Sequence, residues 1–120
     1  MKLTKAEEDI MKIIWEISPC LVSDIIQYMG NPETPHSTIS SIVRILEKKG
    51  FVQHKAYGRT HEYYPVIKRE TYSKNRLKTF VQDYFDGSAH QLVSFLVKEK
   101  EINSDELNQL LEKLEDNENQ

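Results

Sequence analysis

Along the first half of the chain, apolar residues recur in short groups at helical spacing. Ile10, Ile13, Ile14 and Ile17 form the first such stripe, preceded by Thr4 and Glu7 in the spacing of a capping box and stopped by Ser18-Pro19. Val22, Ile25, Ile26 and Met29 predict a short second helix closed by Gly30, and Asn31-Pro32-Glu33-Thr34-Pro35 is a loop by its proline content. Ile39, Ile42, Val43 and Leu46 repeat at i, i+3, i+4 and i+7 and predict a third helix, with Thr34 as N-cap, Pro35 in the first turn and Gly50 just past the end. The period then changes. Phe51 to Lys55 and Thr60 to Tyr64 are rich in β-branched and aromatic residues around Tyr57-Gly58-Arg59, which predicts a tight hairpin with little core of its own. Three helices followed by a hairpin make a winged helix-turn-helix, expected over residues 1–67.

Helical spacing returns beyond the hairpin. Lys68 to Phe85 predicts a long helix with Leu77, Phe80, Val81, Tyr84 and Phe85 on one side and Gly87 at its end. Ser88 with Gln91 caps a helix bearing Leu92, Val93, Phe95, Leu96 and Val97, and Asn103 with Glu106 caps another bearing Leu107, Leu110, Leu111 and Leu114. These apolar faces have no obvious partner in the winged domain, so a second copy of the chain is expected to cover them. The fold class is therefore mainly α with an α+β wing: a winged helix-turn-helix, a helical dimerisation region over 68–115 and a polar tail over 116–120. The expected homodimer contacts are Leu77, Phe80, Val81, Phe85, Leu92, Phe95, Leu96, Leu107, Leu110, Leu111 and Leu114.

With 120 residues and 38% hydrophobic content the chain can hold a small domain plus a helical extension, and no apolar run approaches a membrane span. Met1-Lys2-Leu3-Thr4 leads straight into a charged helix, so a cytoplasmic location is expected. Cys20, the single cysteine, reads as a buried, inert thiol, and Trp15 as a packing residue on the flank of the first helix. The net charge of −3 hides an uneven distribution. Gly30 to Val66 holds Arg44, Lys48, Lys49, Lys55 and Arg59 against Glu33, Glu47 and Glu62, and Lys68, Arg69, Lys74, Arg76 and Lys78 follow; beyond Tyr84 the acids dominate. A basic middle suits a polyanion, and an acidic end must stay away from it.

The polar side of the third helix is unusual for a merely solvated face. It carries Ser37, Thr38, Ser40, Ser41, Arg44 and Lys48, where Glu, Lys and Gln would favour helix more. Short hydroxyl side chains let a backbone approach a surface closely and hydrogen-bond to phosphates or base edges. The residues expected to bind double-stranded DNA are His36, Ser37, Thr38, Ser40, Ser41 and Arg44 at the groove, with Lys48, Lys55 and Arg59 on phosphates. A protein-holding winged-helix module is the competing reading. His36, His54, His61 and His90 are scattered without ligand spacing, so no metal or other cofactor is expected, and no nucleophile elbow, P-loop or carboxylate pair suggests an enzyme.

Taken in order, Leu3-Thr4-Lys5-Ala6-Glu7, Ile14-Trp15, Ser37-Thr38-Ile39-Ser40-Ser41-Ile42, Leu46-Glu47-Lys48-Lys49-Gly50-Phe51-Val52, Gly58-Arg59 and Tyr63-Tyr64-Pro65 resemble the BlaI/MecI penicillinase-repressor family of bacterial transcriptional regulators. Phe85-Asp86-Gly87-Ser88 and Asp105-Glu106-Leu107 extend the resemblance into the C-terminal half. The chain departs from the family in having Arg44-Ile45 where many members have a basic pair, and His36-Ser37 near the start of the same helix. The resemblance implies a dimeric repressor acting on a (pseudo)palindromic operator. It also implies a membrane-bound sensor protease, or a protease downstream of it, that responds to β-lactam and triggers cleavage among the dimerising helices, by position at Phe95–Leu96.

Overall fold

The computed structural model describes residues 2–99 together with 103, 105, 106, 108, 109 and 112. Its elements are α1 (Lys5–Ile17), α2 (Val22–Met29), α3 (His36–Lys48), β1 (Val52–Tyr57), β2 (Thr60–Pro65), α4 (Arg69–Phe85) and α5 (Ala89–Lys98), in the predicted order. They divide into two compact units, residues 1–73 and 74–120, with the boundary inside α4.

In the first unit, α1 begins with the expected capping box: Thr4 Oγ1 accepts from the Glu7 N–H at 3.2 Å, and Glu7 Oε1 accepts from the Thr4 N–H at 3.0 Å. Glu7 is also buried and receives Lys49 Nζ at 2.6 Å, which ties the end of α3 to the start of α1. The buried stripe of α1 is Glu7, Ile10, Met11 and Ile14, whereas Ile13 and Ile17 are only half-buried. Both stripes have helical spacing, and the one that Glu7 extends is turned inward. α2 ends at Gly30 with φ 75, as expected, although Met29 lies exposed.

Two details of α3 differ in opposite ways from expectation. Its C-terminus closes as the sequence predicts, with Gly50 at φ 85, its N–H on the Glu47 carbonyl at 3.0 Å and the Phe51 N–H on that of Leu46 at 2.9 Å. Its N-terminus does not, because Pro35 and not Thr34 occupies the cap position and no side chain caps the helix. Thr34 instead donates its N–H to the Asn31 carbonyl at 3.1 Å, in a turn where Asn31 Oδ1 also accepts from the Glu33 N–H at 3.0 Å. The side chain of Asn31 thus organises the loop that Thr34 was expected to end.

β1 and β2 pair antiparallel from Val52↔Pro65 to Tyr57↔Thr60, leaving Gly58-Arg59 as a two-residue turn with Gly58 at φ 65. Cys20 pairs with Tyr63 on the other edge of β2 through bonds of 2.9 and 2.7 Å, so the wing is anchored to the segment between α1 and α2. That cysteine is buried, and burial pushes its thiol up to about 11, reinforced by the Asp24 and Glu62 charges. Ile14, Ile25, Val43, Leu46, Val52 and Met11 share the core with it. Trp15 packs as expected: its Nε1–H donates to the Ile67 carbonyl at 2.9 Å and its ring lies 5.7 Å from Tyr72. Tyr72 also meets Phe51 edge-on and donates its hydroxyl to Glu8 Oε2 at 2.8 Å, which brings the start of α4 into the first unit and holds the Glu8 carboxyl below its ordinary range.

In the second unit, α4 ends through Asp86 at φ 51 and Gly87 at φ 77, and Ser88 Oγ caps α5 by accepting from the Gln91 N–H at 3.2 Å. Val81, Leu92 and Val93 are buried, and Phe85 lies 5.8 Å from Phe95. Asn103 Oδ1 accepts from the Glu106 N–H at 2.9 Å, the capping contact read from the sequence. Leu107, Leu110, Leu111, Leu114 and the tail lie outside the described residues.

Candidate nucleic-acid interface

With Ile39, Val43 and Leu46 buried, the opposite side of α3 is presented outward by the geometry of the helix. Ser37, Ser41, Arg44 and Lys48 fall along the middle of that side, and all four are exposed. Thr38 lies on one flank with Ile45, which is 42% exposed despite being apolar. On the other flank are His36 and Ser40, facing the hairpin. No acidic residue occupies the first turn of α3, whereas α1 has Glu7 and Glu8 there and α2 has Asp24. Near the C-terminus, Lys48 and Lys49 diverge: Lys48 remains exposed, while Lys49 is held by Glu7. What the sequence presents as one polar face is thus an outward row and two flanks.

The hairpin separates its two candidate cations. Side chains alternate between faces along a strand, so Val52, His54 and Ala56 share a face with Pro65, Tyr63 and His61, and Gln53, Lys55 and Tyr57 share the other with Tyr64, Glu62 and Thr60. The first face turns toward α3. There His54 Nδ1 donates to Glu47 Oε2 at 2.5 Å, and the His54 ring stacks on His61 with centroids 4.2 Å apart and planes 12° from parallel. Lys55, directly across from Glu62, lies on the opposite face beside Ser18, Pro19 and Tyr64. Arg59, in the turn, joins α3: a cleft of about 390 Å³, open to solvent, is lined by His36, Ser40 and Arg44 from α3, by Arg59, Thr60, His61 and Tyr63 from the hairpin, and by Leu21, Val22 and Ser23 at the start of α2.

Of the nine residues expected to bind DNA, eight therefore lie on the outward side and flanks of α3 or next to it in the turn, and Lys55 stands on the other face of the wing. Sequence reading passed over Ser23, Thr60 and His61. The hairpin register would have found His61, since it is two residues from Tyr63 and two beyond Arg59 on one face. Nothing in the local sequence of α2 points to Ser23.

Comparison with known proteins gives the arrangement its context. Residues 3–116 match the family model described as penicillinase repressor. The penicillinase repressor of Bacillus licheniformis is 26% identical over 119 residues, covering 98% of this chain and 93% of its own length. The methicillin resistance regulatory proteins MecI of Mammaliicoccus sciuri and of Staphylococcus aureus (strain N315) are each 26% identical over 111 residues, covering 91% of this chain and 89% of their own. Among the described residues, no helix is long and apolar enough to cross a membrane. Matched over nearly its whole length, this chain belongs to the penicillinase repressor family, whose members are DNA-binding transcriptional regulators and not enzymes.

Proposed function

We propose that the chain acts in the cytoplasm as a homodimeric repressor that lays α3 in the major groove of a (pseudo)palindromic operator. The observation that carries this reading is the exposed row Ser37, Ser41, Arg44 and Lys48 on a helix whose first turn holds no acid. Thr38 and Ser40 flank that row, His36 begins the helix, Arg59 adds a phosphate contact from the turn, and Lys55 adds one from the outer face of the wing. A single such module would bind only weakly at physiological salt, in the range of about 10⁻⁴ to 10⁻⁶ M. Two modules joined by a dimer interface bind far more tightly, because the second contact is intramolecular.

Support for the dimer comes from the second unit, where Phe80 is 47%, Tyr84 73% and Phe95 50% exposed. Leu77, Phe85 and Leu96, each half-buried, complete the described part of the interface in this proposal, Val81 and Leu92 are buried within the unit and support it from beneath, and Leu107, Leu110, Leu111 and Leu114 extend it. Release of repression by cleavage at Phe95–Leu96, signalled through a β-lactam-responsive sensor protease, belongs to the same proposal. Phe95 is exposed, and Lys98 is the last residue of α5, so unwinding one helix end would present this bond to a protease.

A salt titration of duplex binding tests the reading. The logarithm of affinity should fall linearly with that of salt concentration, with a slope of about −0.9 per phosphate neutralised. Thr38→Ala should weaken binding to the selected site by about 1–3 kcal/mol while changing binding to random duplex less, and an equal effect of Arg44→Ala on both duplexes would make Arg44 a backbone contact. No duplex binding at any salt concentration would leave the protein-holding module as the reading.

A further inference from the structure

Arg44 and Arg59 come from different elements, α3 and the β1–β2 turn, yet both line the cleft that also receives His36, His61, Ser40 and Thr60. No acidic side chain lines it, in a chain where acids outnumber bases 19 to 16. Two carboxylates stand close by: Asp24 Oδ2 accepts from the Leu21 N–H at 2.8 Å, and Glu47 receives His54 Nδ1, with His54 in turn stacked flat on His61. This chain of contacts fixes one wall of the cleft. Leu21, Val22 and Tyr63 supply an apolar floor, so donors stand at the rim above a surface with little charge of its own.

We propose that this cleft seats one backbone phosphate of a DNA strand in each half-site, held between Arg44 and Arg59 with donors from His36, His61 and Ser40. The proposal rests on the DNA-binding reading above and gives the residues different roles. Ser37, Ser41 and Lys48 face outward to the groove, while the flank toward the wing grips the strand. Two arginines lining one cleft from separate elements suit a phosphodiester, which accepts from both sides at once. At about 390 Å³ the cleft also has room for the adjoining sugar. Because the seat is shared between α3 and the wing, binding there fixes the register of the helix along the groove as well as adding affinity.

The test uses the full chain and a duplex of about 30 base pairs that the protein has itself selected from a random pool, long enough for two half-sites. Methylphosphonates, which remove one phosphate charge each, are placed singly along both strands and binding is followed by fluorescence anisotropy. One position per half-site should weaken the wild-type protein roughly tenfold, the scale of a charged hydrogen bond, and should weaken the Arg59→Ala, His61→Ala double variant several-fold less. Lys48→Ala should keep the wild-type sensitivity at that position. If the double variant is unstable, Arg59→Ala alone, at an exposed turn position, provides the same comparison. Sensitivity that is the same in variant and wild type at every phosphate overturns the seat but leaves the DNA reading intact. A cleft that binds inorganic phosphate while its variants bind the duplex normally also overturns it, because the anion would then come from solution. Wild-type protein that selects no duplex defeats the DNA reading itself.

Discussion

The two units of this chain enclose their apolar residues to different degrees. In the first, Ile14, Ile25, Val43, Leu46 and Val52 are wholly enclosed, and although Ile45, Tyr57 and Val66 keep exposed surface, the middle of the outward side of α3 is left to hydroxyls and cations. In the second, Val81, Leu92 and Val93 are buried while Phe80, Tyr84, Phe95 and Val97 keep large exposed surfaces. A winged unit that closes its own core can offer a polar face to a polar partner. A helical unit with aromatic rings outside gains most from an apolar partner, and a second copy supplies one. The largest effect expected from this contrast is therefore on assembly. Phe95→Asp combined with Leu96→Asp should give monomers in sedimentation and weaken operator binding by roughly 10² to 10⁴, with the thermal transition of the winged unit unchanged. Undiminished affinity in a gel shift, or a winged unit that unfolds as well, would break the comparison.

A core change should do the reverse. Leu46 is fully buried at the end of α3, and Leu46→Ala should destabilise the winged unit by about 2–5 kcal/mol through lost contacts and a residual cavity. Denaturant unfolding at several protein concentrations separates the two cases. The Leu46 variant should lose stability by an amount that does not depend on concentration, whereas loss from the Phe95 and Leu96 variant should be confined to the concentration-dependent part. Equal dependence on concentration in both would mean that the winged unit is not complete without its partner.

Much of this organisation could be read from the residue pattern because its causes are local. The Thr4 and Glu7 box, Gly30 and Gly50 at helix ends, Ser88 before α5 and the two-residue turn at Gly58 each follow from one backbone requirement met within a few residues. Features that depend on distant partners could not be read this way. Met11 is buried in place of Ile13, on the inward side of α1 that also carries Glu7, and Glu7 meets Lys49 from the distant end of α3. Thr34 lost its expected cap role to an Asn31-centred turn, a competition between neighbouring side chains that propensity does not rank. At the candidate interface, residue types identified α3 and the turn. The placing of Arg59 on the same cleft as Arg44, and of Lys55 on the far face, required the folded hairpin.

The smallest predicted effect concerns how the first unit holds itself shut. Hydrogen bonding from Lys49, followed by that from the Thr4 backbone, holds the Glu7 carboxyl below its ordinary range against the opposing effect of burial. A carboxyl depressed in the folded state contributes stability above its unfolded value, about 4.3 for glutamate, and loses it as pH falls through the lower folded value. Lys49→Met should therefore reduce stability at pH 7 by no more than about 1 kcal/mol, since the lysine is partly exposed. The gap between wild type and variant should narrow toward about pH 3 as Glu7 becomes protonated in both. Denaturant midpoints at the two pH values measure this, and a gap that stays constant would mean that the Lys49 stem contributes by packing and not through its charge. Because Glu7 already holds Lys49, the same substitution should leave the salt slope of duplex binding unchanged, whereas Lys48→Ala, one residue earlier and exposed, should lower it by about 0.9 for each phosphate it neutralises.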